Sequence, residues 1–148
     1  MRVDFYHLES SPVERALPQL LERVLASGQR AVVMAASDER IEALANLLWT
    51  YDPGTWLPHG TLKDGFAAEQ PIWLTTAEEN PNGAKMLVLT DGMASDRLAD
   101  YDRCLDLFDG NNEEATAAAR TRWSRAKAAG HELHYWQQTE AGWKEKQA

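Results

Sequence analysis

The sequence predicts an α/β protein: a single layered domain with a mostly parallel sheet flanked by helices. Short apolar runs alternate with amphipathic helical stretches along the whole chain, which is the pattern of stacked β-α units. Ala31 to Ala36 is a continuous apolar run, as expected of a strand buried on both faces. No linker, repeat or low-complexity tract breaks the alternation, so residues 1–148 read as one domain.

The elements follow in order. Val3-Asp4-Phe5-Tyr6-His7-Leu8 alternates as a strand, and Ser10-Ser11-Pro12 offers a cap and an early proline for a helix running to about Ser27, stopped by Gly28. Ala31–Ala36 is the second strand. Ser37-Asp38-Glu39 caps a helix from about Asp38 to Trp49, with Ile41, Leu44, Ala45 and Leu48 on one face. From Tyr51 to Gln70, Pro53, Gly54, Pro58, Gly60 and Gly65 predict a long loop, a type of segment that often carries function.

Pro71–Thr75 and Lys85–Leu89 read as strands around the turn Asn80-Pro81-Asn82-Gly83. A short helix is expected near Ser95–Tyr101, then a strand over Arg103–Phe108. Asp109-Gly110-Asn111-Asn112 is a turn and cap, and the alanine-rich stretch to Ala129, closed by Gly130, is a helix. His131–Gln137 alternates as a late strand at the sheet edge. Residues after about 138 form a C-terminal extension, expected to be loosely held past Glu140.

Charge narrows the function. Lys and Arg number 15 against 23 Asp and Glu, a formal net charge of -8, which disfavours direct binding of duplex phosphates. The imbalance is local: residues 1–111 hold 9 basic and 18 acidic side chains, whereas 112–148 hold 6 and 5. Arg120, Arg122, Arg125 and Lys127 form a run with no acid among them, better matched to a small acidic partner than to a long polyanion. Cys104 is the single cysteine, which excludes an internal disulfide and suits a reducing compartment. No run approaches the ~18 apolar residues of a membrane span, and Met1-Arg2-Val3-Asp4 is unlike a secretory signal. No membrane role and a cytoplasmic location are expected.

Signatures of catalysis are missing. There is no G-x-x-x-x-G-K-[ST] loop, no G-x-G-x-x-G after the first strand, no G-x-S-x-G elbow and no H-E-x-x-H. His7, His59, His131 and His134 make no zinc-ligand spacing, Cys104 reads as a small core residue, and Asp100, Asp102 and Asp106 read as a solvated acidic face. No catalytic residue, metal site or cofactor is expected.

Two constellations stand out. Trp49, Trp56, Leu57, Pro58 and His59 crowd one loop, where the tryptophans either pack the loop onto the core or anchor a protein partner. On the last helix, at about 100° per residue, Arg120, Trp123, Ser124 and Lys127 share a stripe, while Arg122 and Arg125 point elsewhere. An aromatic plate between cations suits a short acidic peptide, with Arg gripping a carboxylate. A solvated basic face with Trp123 turned into the core is the alternative.

The sequence resembles the chi subunit family of bacterial DNA polymerase III. The resemblance is carried, in order, by Val3-Asp4-Phe5-Tyr6-His7-Leu8, by Leu48-Trp49 with Trp56-Leu57-Pro58-His59-Gly60, by Gln70-Pro71-Ile72, and by Ala119-Arg120-Thr121-Arg122-Trp123 with Gly130 seven residues on. It implies a non-catalytic adaptor of the clamp-loader assembly with a Rossmann-like fold lacking the nucleotide-binding Gly-rich loop. It further implies binding to the acidic, Phe-terminated C-terminal tail of single-stranded DNA-binding protein, with DNA contacted mainly through that protein. By analogy Arg120 grips the carboxylate, Trp123 is the aromatic wall and Phe108 a pocket member. Some relatives carry Lys where this chain has Ser124, so Lys127, added from the helical stripe, or Arg125 substitutes for that charge. Trp49, Trp56, Leu57, Pro58 and His59 match the family's surface for the psi subunit, although a helicase or another replication or repair protein could take that place. The clamp loader and polymerase would be met indirectly. Two other functions stay open: a small α/β enzyme holding an anionic metabolite between Arg120 and His59, and direct binding of single strands by Trp123 stacking and the nearby arginines.

Overall fold

In a computed structural model of the chain, which describes residues 1–52, 54, 57–140 and 142–146, the predicted α/β class is realised as one sheet with helices on both faces. The elements are β1 (Arg2–Leu8), α1 (Val13–Ala26), β2 (Ala31–Met34), α2 (Asp38–Thr50), β3 (Ile72–Thr75), β4 (Met86–Leu89), β5 (Arg103–Asp109), α3 (Glu113–Ala128), β6 (Glu132–Thr139) and β7 (Gly142–Lys146), with 3₁₀ turns at Ala67–Glu69 and Leu98–Asp100. The sheet order is β3-β2-β4-β5-β1-β6-β7. The first six strands are parallel and β7 runs antiparallel to β6.

The connections step along the sheet in both directions. β1-α1-β2 and β2-α2-β3 move one way, and β5-α3-β6 moves the other. Right-handed crossovers then require α1 and α2 on one face and α3 on the opposite face, and the two cores agree. Tyr6, Leu8, Val33, Leu74, Val88, Leu105 and Leu107 pack beneath Leu17, Leu20, Leu21, Leu44 and Leu48 of α1 and α2. Val3, Phe5, Val32, Met34, Leu87 and Cys104 pack beneath Ala119 and Ala126 of α3. The β3-β4 and β4-β5 connections hold no α-helix, and Ala84, Met93, Leu98 and Tyr101 from those segments cover the α3 face beside the helix.

Several expectations are corrected. Pro12, and neither serine, occupies the cap position of α1 and makes no side-chain cap bond. The loop's backbone donors are satisfied from across the sheet, since Gln138 Oε1 of β6 accepts from the amides of Glu9, Ser10 and Ser11 at 3.1, 3.0 and 3.2 Å. The helix expected near Ser95–Tyr101 is only the 3₁₀ turn at Leu98–Asp100. β6 is not an edge strand, because the segment past Glu140, expected to be loose, returns as β7 and pairs with it from Thr139↔Gly142 to Tyr135↔Lys146. Trp143 gives that strand an anchor by packing edge-on to Tyr6 at 5.0 Å between centroids.

Candidate functional site

α3 starts where predicted: the Asn112 side chain accepts from the Ala115 amide at 2.9 Å, and Glu113 and Glu114 follow at the positive end of the helix dipole. Its sheet-facing stripe is built from Ala119, Arg122, Trp123 and Ala126, with the two alanines buried. Small residues let the helix lie close to the sheet, while a single helix is too narrow to cover the face. A cleft of about 340 Å³ therefore stays open along its side, lined by Phe5, Phe108, Thr116, Ala119, Arg120, Trp123, Tyr135 and Lys146.

Aromatic rings make the walls. Trp123 meets Phe5 edge-on at 5.2 Å and Tyr135 at 5.9 Å, and Phe108 stands 6.2 Å from Tyr135. Behind them His7 packs against Phe108 at 5.2 Å, and its Nδ1 is hydrogen-bonded to the Tyr135 hydroxyl. Gly110 makes room for that imidazole, since a Cβ there would fall 1.9 Å from the ring. Burial pushes the Tyr135 phenol above its ordinary pKa, with Arg120 opposing the shift and Glu9 adding to it.

Among the described residues, no acidic one lines this cleft, and neither Arg120 nor Lys146 makes a hydrogen bond or ion pair. Two of Arg120's neighbours in the basic run are engaged elsewhere. Arg122 donates to both oxygens of Asp106 at 2.6 and 2.9 Å, and Arg125 reaches Asp96 at 3.8 Å. Asp106 thereby departs from the solvated acidic face expected of it: it is 2% exposed, and burial raises its pKa despite Arg122. The Thr116 hydroxyl, buried in the cleft wall, has no partner among the described groups.

The predicted site residues are thus divided. Arg120, Trp123 and Phe108 meet in the cleft, whereas Ser124 and Lys127 are exposed and do not line it. The stripe that matters is Thr116, Ala119, Arg120 and Trp123, and the sheet-facing position after it is Ala126, which leaves Lys127 on the solvent side. Thr116 was readable from the same helical spacing. Phe5 and Tyr135 were readable as strand residues but not as neighbours of α3, and nothing in the sequence marked Lys146.

The loop constellation lies on the other face of the sheet and at the β3 end. Trp56 falls outside the described residues. Trp49, in the last turn of α2, is 53% exposed and lies tilted against His59 with 4.4 Å between ring centroids. His59 and Leu57 are buried, and the His59 ring nitrogens meet the Leu57 carbonyl oxygen at 2.7 Å and the Ala45 carbonyl oxygen at 3.0 Å, tying loop to helix. Pro58 is half-buried, and the same loop exposes Leu62 and Phe66. Arg120 and His59 lie on opposite faces of the sheet, one beside α3 and the other against α2.

The larger cleft, about 750 Å³, opens where the chain leaves β1 toward α1 and β5 toward α3. That switch point is where open α/β sheets hold ligands. Here Glu9, Glu14, Asp91, Asp109 and Glu114 line it, and its cations are spent: Arg40 on Glu14 and Asp91, Arg122 on Asp106. Such a crevice repels phosphate. No group of three or more side chains suited to a metal ion forms among the described residues. Burial holds the Cys104 thiol well above its ordinary pKa, so it is no ready nucleophile.

Comparison with known proteins gives two matches. Residues 1–134 match the family described as DNA polymerase III chi subunit, HolC. A protein of Rickettsia prowazekii (strain Madrid E) described as a probable DNA polymerase III subunit chi is 33% identical over 84 residues, covering 57% of this chain and 51% of the relative. The matched stretch spans about half the length of that relative.

Proposed function

The chain belongs to the DNA polymerase III chi subunit family, and from that membership we propose that it is a non-catalytic accessory protein of the replicative polymerase. It couples the clamp-loader assembly to single-stranded DNA-binding protein by holding that protein's acidic, Phe-terminated tail in the α3 cleft. A second protein, psi-like or a helicase, docks on the Trp49 surface. The assembly works in the cytoplasm.

One observation carries this reading: on a chain of net charge -8, the α3 cleft joins aromatic walls to two cations that pair with no acid among the described residues. An apolar terminal side chain gains roughly 1.5–3 kcal/mol on full burial between such rings. Its terminal carboxylate meets the Arg120 fork, which can donate two parallel hydrogen bonds. The Thr116 hydroxyl is a further donor within the same cleft. Apolar anchoring is unscreened, so added salt weakens the complex only in part. At the Trp49 surface, the exposed Trp49, Leu62 and Phe66 supply an apolar patch, while buried Leu57 and His59 hold its loop in place.

The test is a fluorescence-anisotropy titration of a labelled acidic peptide ending in Asp-Ile-Pro-Phe, beside the same peptide lacking the final Phe. Micromolar binding that needs the Phe is expected. If neither peptide binds, the cleft is not a tail site.

A further inference from the structure

The C-terminal hairpin extends past residue 134, where the family match ends, yet it walls the cleft. Tyr135 and Lys146 sit directly opposite each other across the β6-β7 ladder, so both side chains leave the sheet on the α3 face. Strand periodicity sorts the rest of β7. Trp143 and Glu145 turn to the α1 face, where Trp143 packs on Tyr6 and Glu145 pairs with His134. Lys144, opposite Gln137, and Lys146 fall on the face of the cleft.

We propose that Lys146 is a second anion-binding residue of the α3 cleft, so that the C-terminal hairpin is part of the binding site and the site selects a peptide carrying two negative charges beside its apolar terminal residue. The proposal depends on reading the cleft as the acidic-tail site. Its basis is the juxtaposition of Arg120 and Lys146 on one cleft, each without an acidic partner among the described residues. The two differ in what they grip: a planar guanidinium fixes one carboxylate bidentately, and a lysine on a flexible stem meets a less fixed one. A terminal carboxylate and an aspartate a few residues upstream match that pair. A peptide with the terminal charge alone leaves Lys146 unanswered.

The experiment measures the affinity of the full chain for a peptide ending in Asp-Ile-Pro-Phe and for its Asn-Ile-Pro-Phe counterpart. Lys146→Ala should weaken the first about three- to tenfold, the scale of a partly exposed charge-assisted contact, and leave the second unchanged, with Lys146→Arg restoring most of the loss. Lys127→Ala removes the same charge from an exposed position outside the cleft and should change neither peptide by more than about twofold. Equal losses in Lys146→Ala and Lys127→Ala would reduce the effect to net charge and overturn the proposal, as would no loss in Lys146→Ala. Failure of the tail-site reading looks different: the unaltered chain binds neither peptide, and the proposal falls with it. Lys146 is exposed, so the variant should keep the wild-type melting temperature, which checks folding in the same samples.

Discussion

The two faces of the sheet are finished differently. Under α1 and α2, leucines from both helices fill the space over the strands, and Leu17, Leu21, Leu44 and Leu48 are at most 1% exposed. Under α3 the helix offers alanines, and Trp123 is only half-buried. The carboxylates buried beneath each face repeat the contrast. Asp4, on the α1 face, is buried, yet Arg2, Arg103 and Trp136 all donate to it and hold its pKa below the ordinary range. Asp106 lies on the neighbouring strand opposite Phe5 and faces α3, with Arg122 its one hydrogen-bond partner among the described residues, and burial raises its pKa. One face is closed by apolar packing, whereas the other is fastened by an ion pair and left open beside it, and the open face is where a partner can enter.

The contrast can be broken at its strongest point. Arg122→Ala leaves the Asp106 carboxylate buried and alone and should cost about 3–5 kcal/mol, whereas a joint replacement of Arg122 by Met and Asp106 by Leu should cost much less. Urea denaturation of the three proteins measures this, and equal losses would mean that α3 is held by its alanines. On the closed face, Leu44→Ala should cost about 2–5 kcal/mol through the cavity it leaves. It should not alter tail binding by the folded protein, which a titration below the unfolding transition checks.

Arg120→Ala should do the reverse. Tail affinity is expected to fall by roughly 1.5–3 kcal/mol, the worth of a hydrogen bond to a charged group, while stability stays within about 0.5 kcal/mol, as for a surface change. Unchanged affinity in that variant would remove Arg120 from the site.

The smallest effect concerns the hairpin that closes the cleft. Hydrogen bonds from His134 to Glu145 and then Glu132 raise its pKa. A raised folded value means this contribution is complete below the unfolded pKa near ~6.5 and is lost as pH rises through the folded one. Amide exchange in β7, corrected for intrinsic rate, should therefore quicken across that window in wild type and not in His134→Gln. An identical pH response in both would show that the pairing is idle.

Much of this was legible in the sequence because it is local. The Asn112 cap, the Ser37 cap, the apolar run from Ala31 and the spacing of Arg120 to Trp123 are read within one or two turns of chain. The misses have physical causes. Asp106 looks like a surface carboxylate until α3 swings Arg122 over it, and the N-terminal serines look like caps until Gln138 takes the loop's amides from 127 to 129 residues away. The segment past Glu140 has too little apolar character to predict a strand alone. β7 forms there because β6 offers an unpaired edge and Tyr6 offers Trp143 a ring to pack against.

Composition and short-range periodicity are enough to decide the β-α alternation, the excess acid with its one basic helix, the absence of a phosphate loop and the spacing of Arg120 to Trp123. Strand order, and with it which strands flank α3, came from the assembled sheet. Phe5, Phe108, Tyr135 and Lys146 come from four strands spread over 142 positions, and they share a cleft because β5, β1, β6 and β7 are consecutive in the sheet. Contacts between residues that far apart depend on the closure of many intervening loops, whose cost and geometry no short window of sequence encodes.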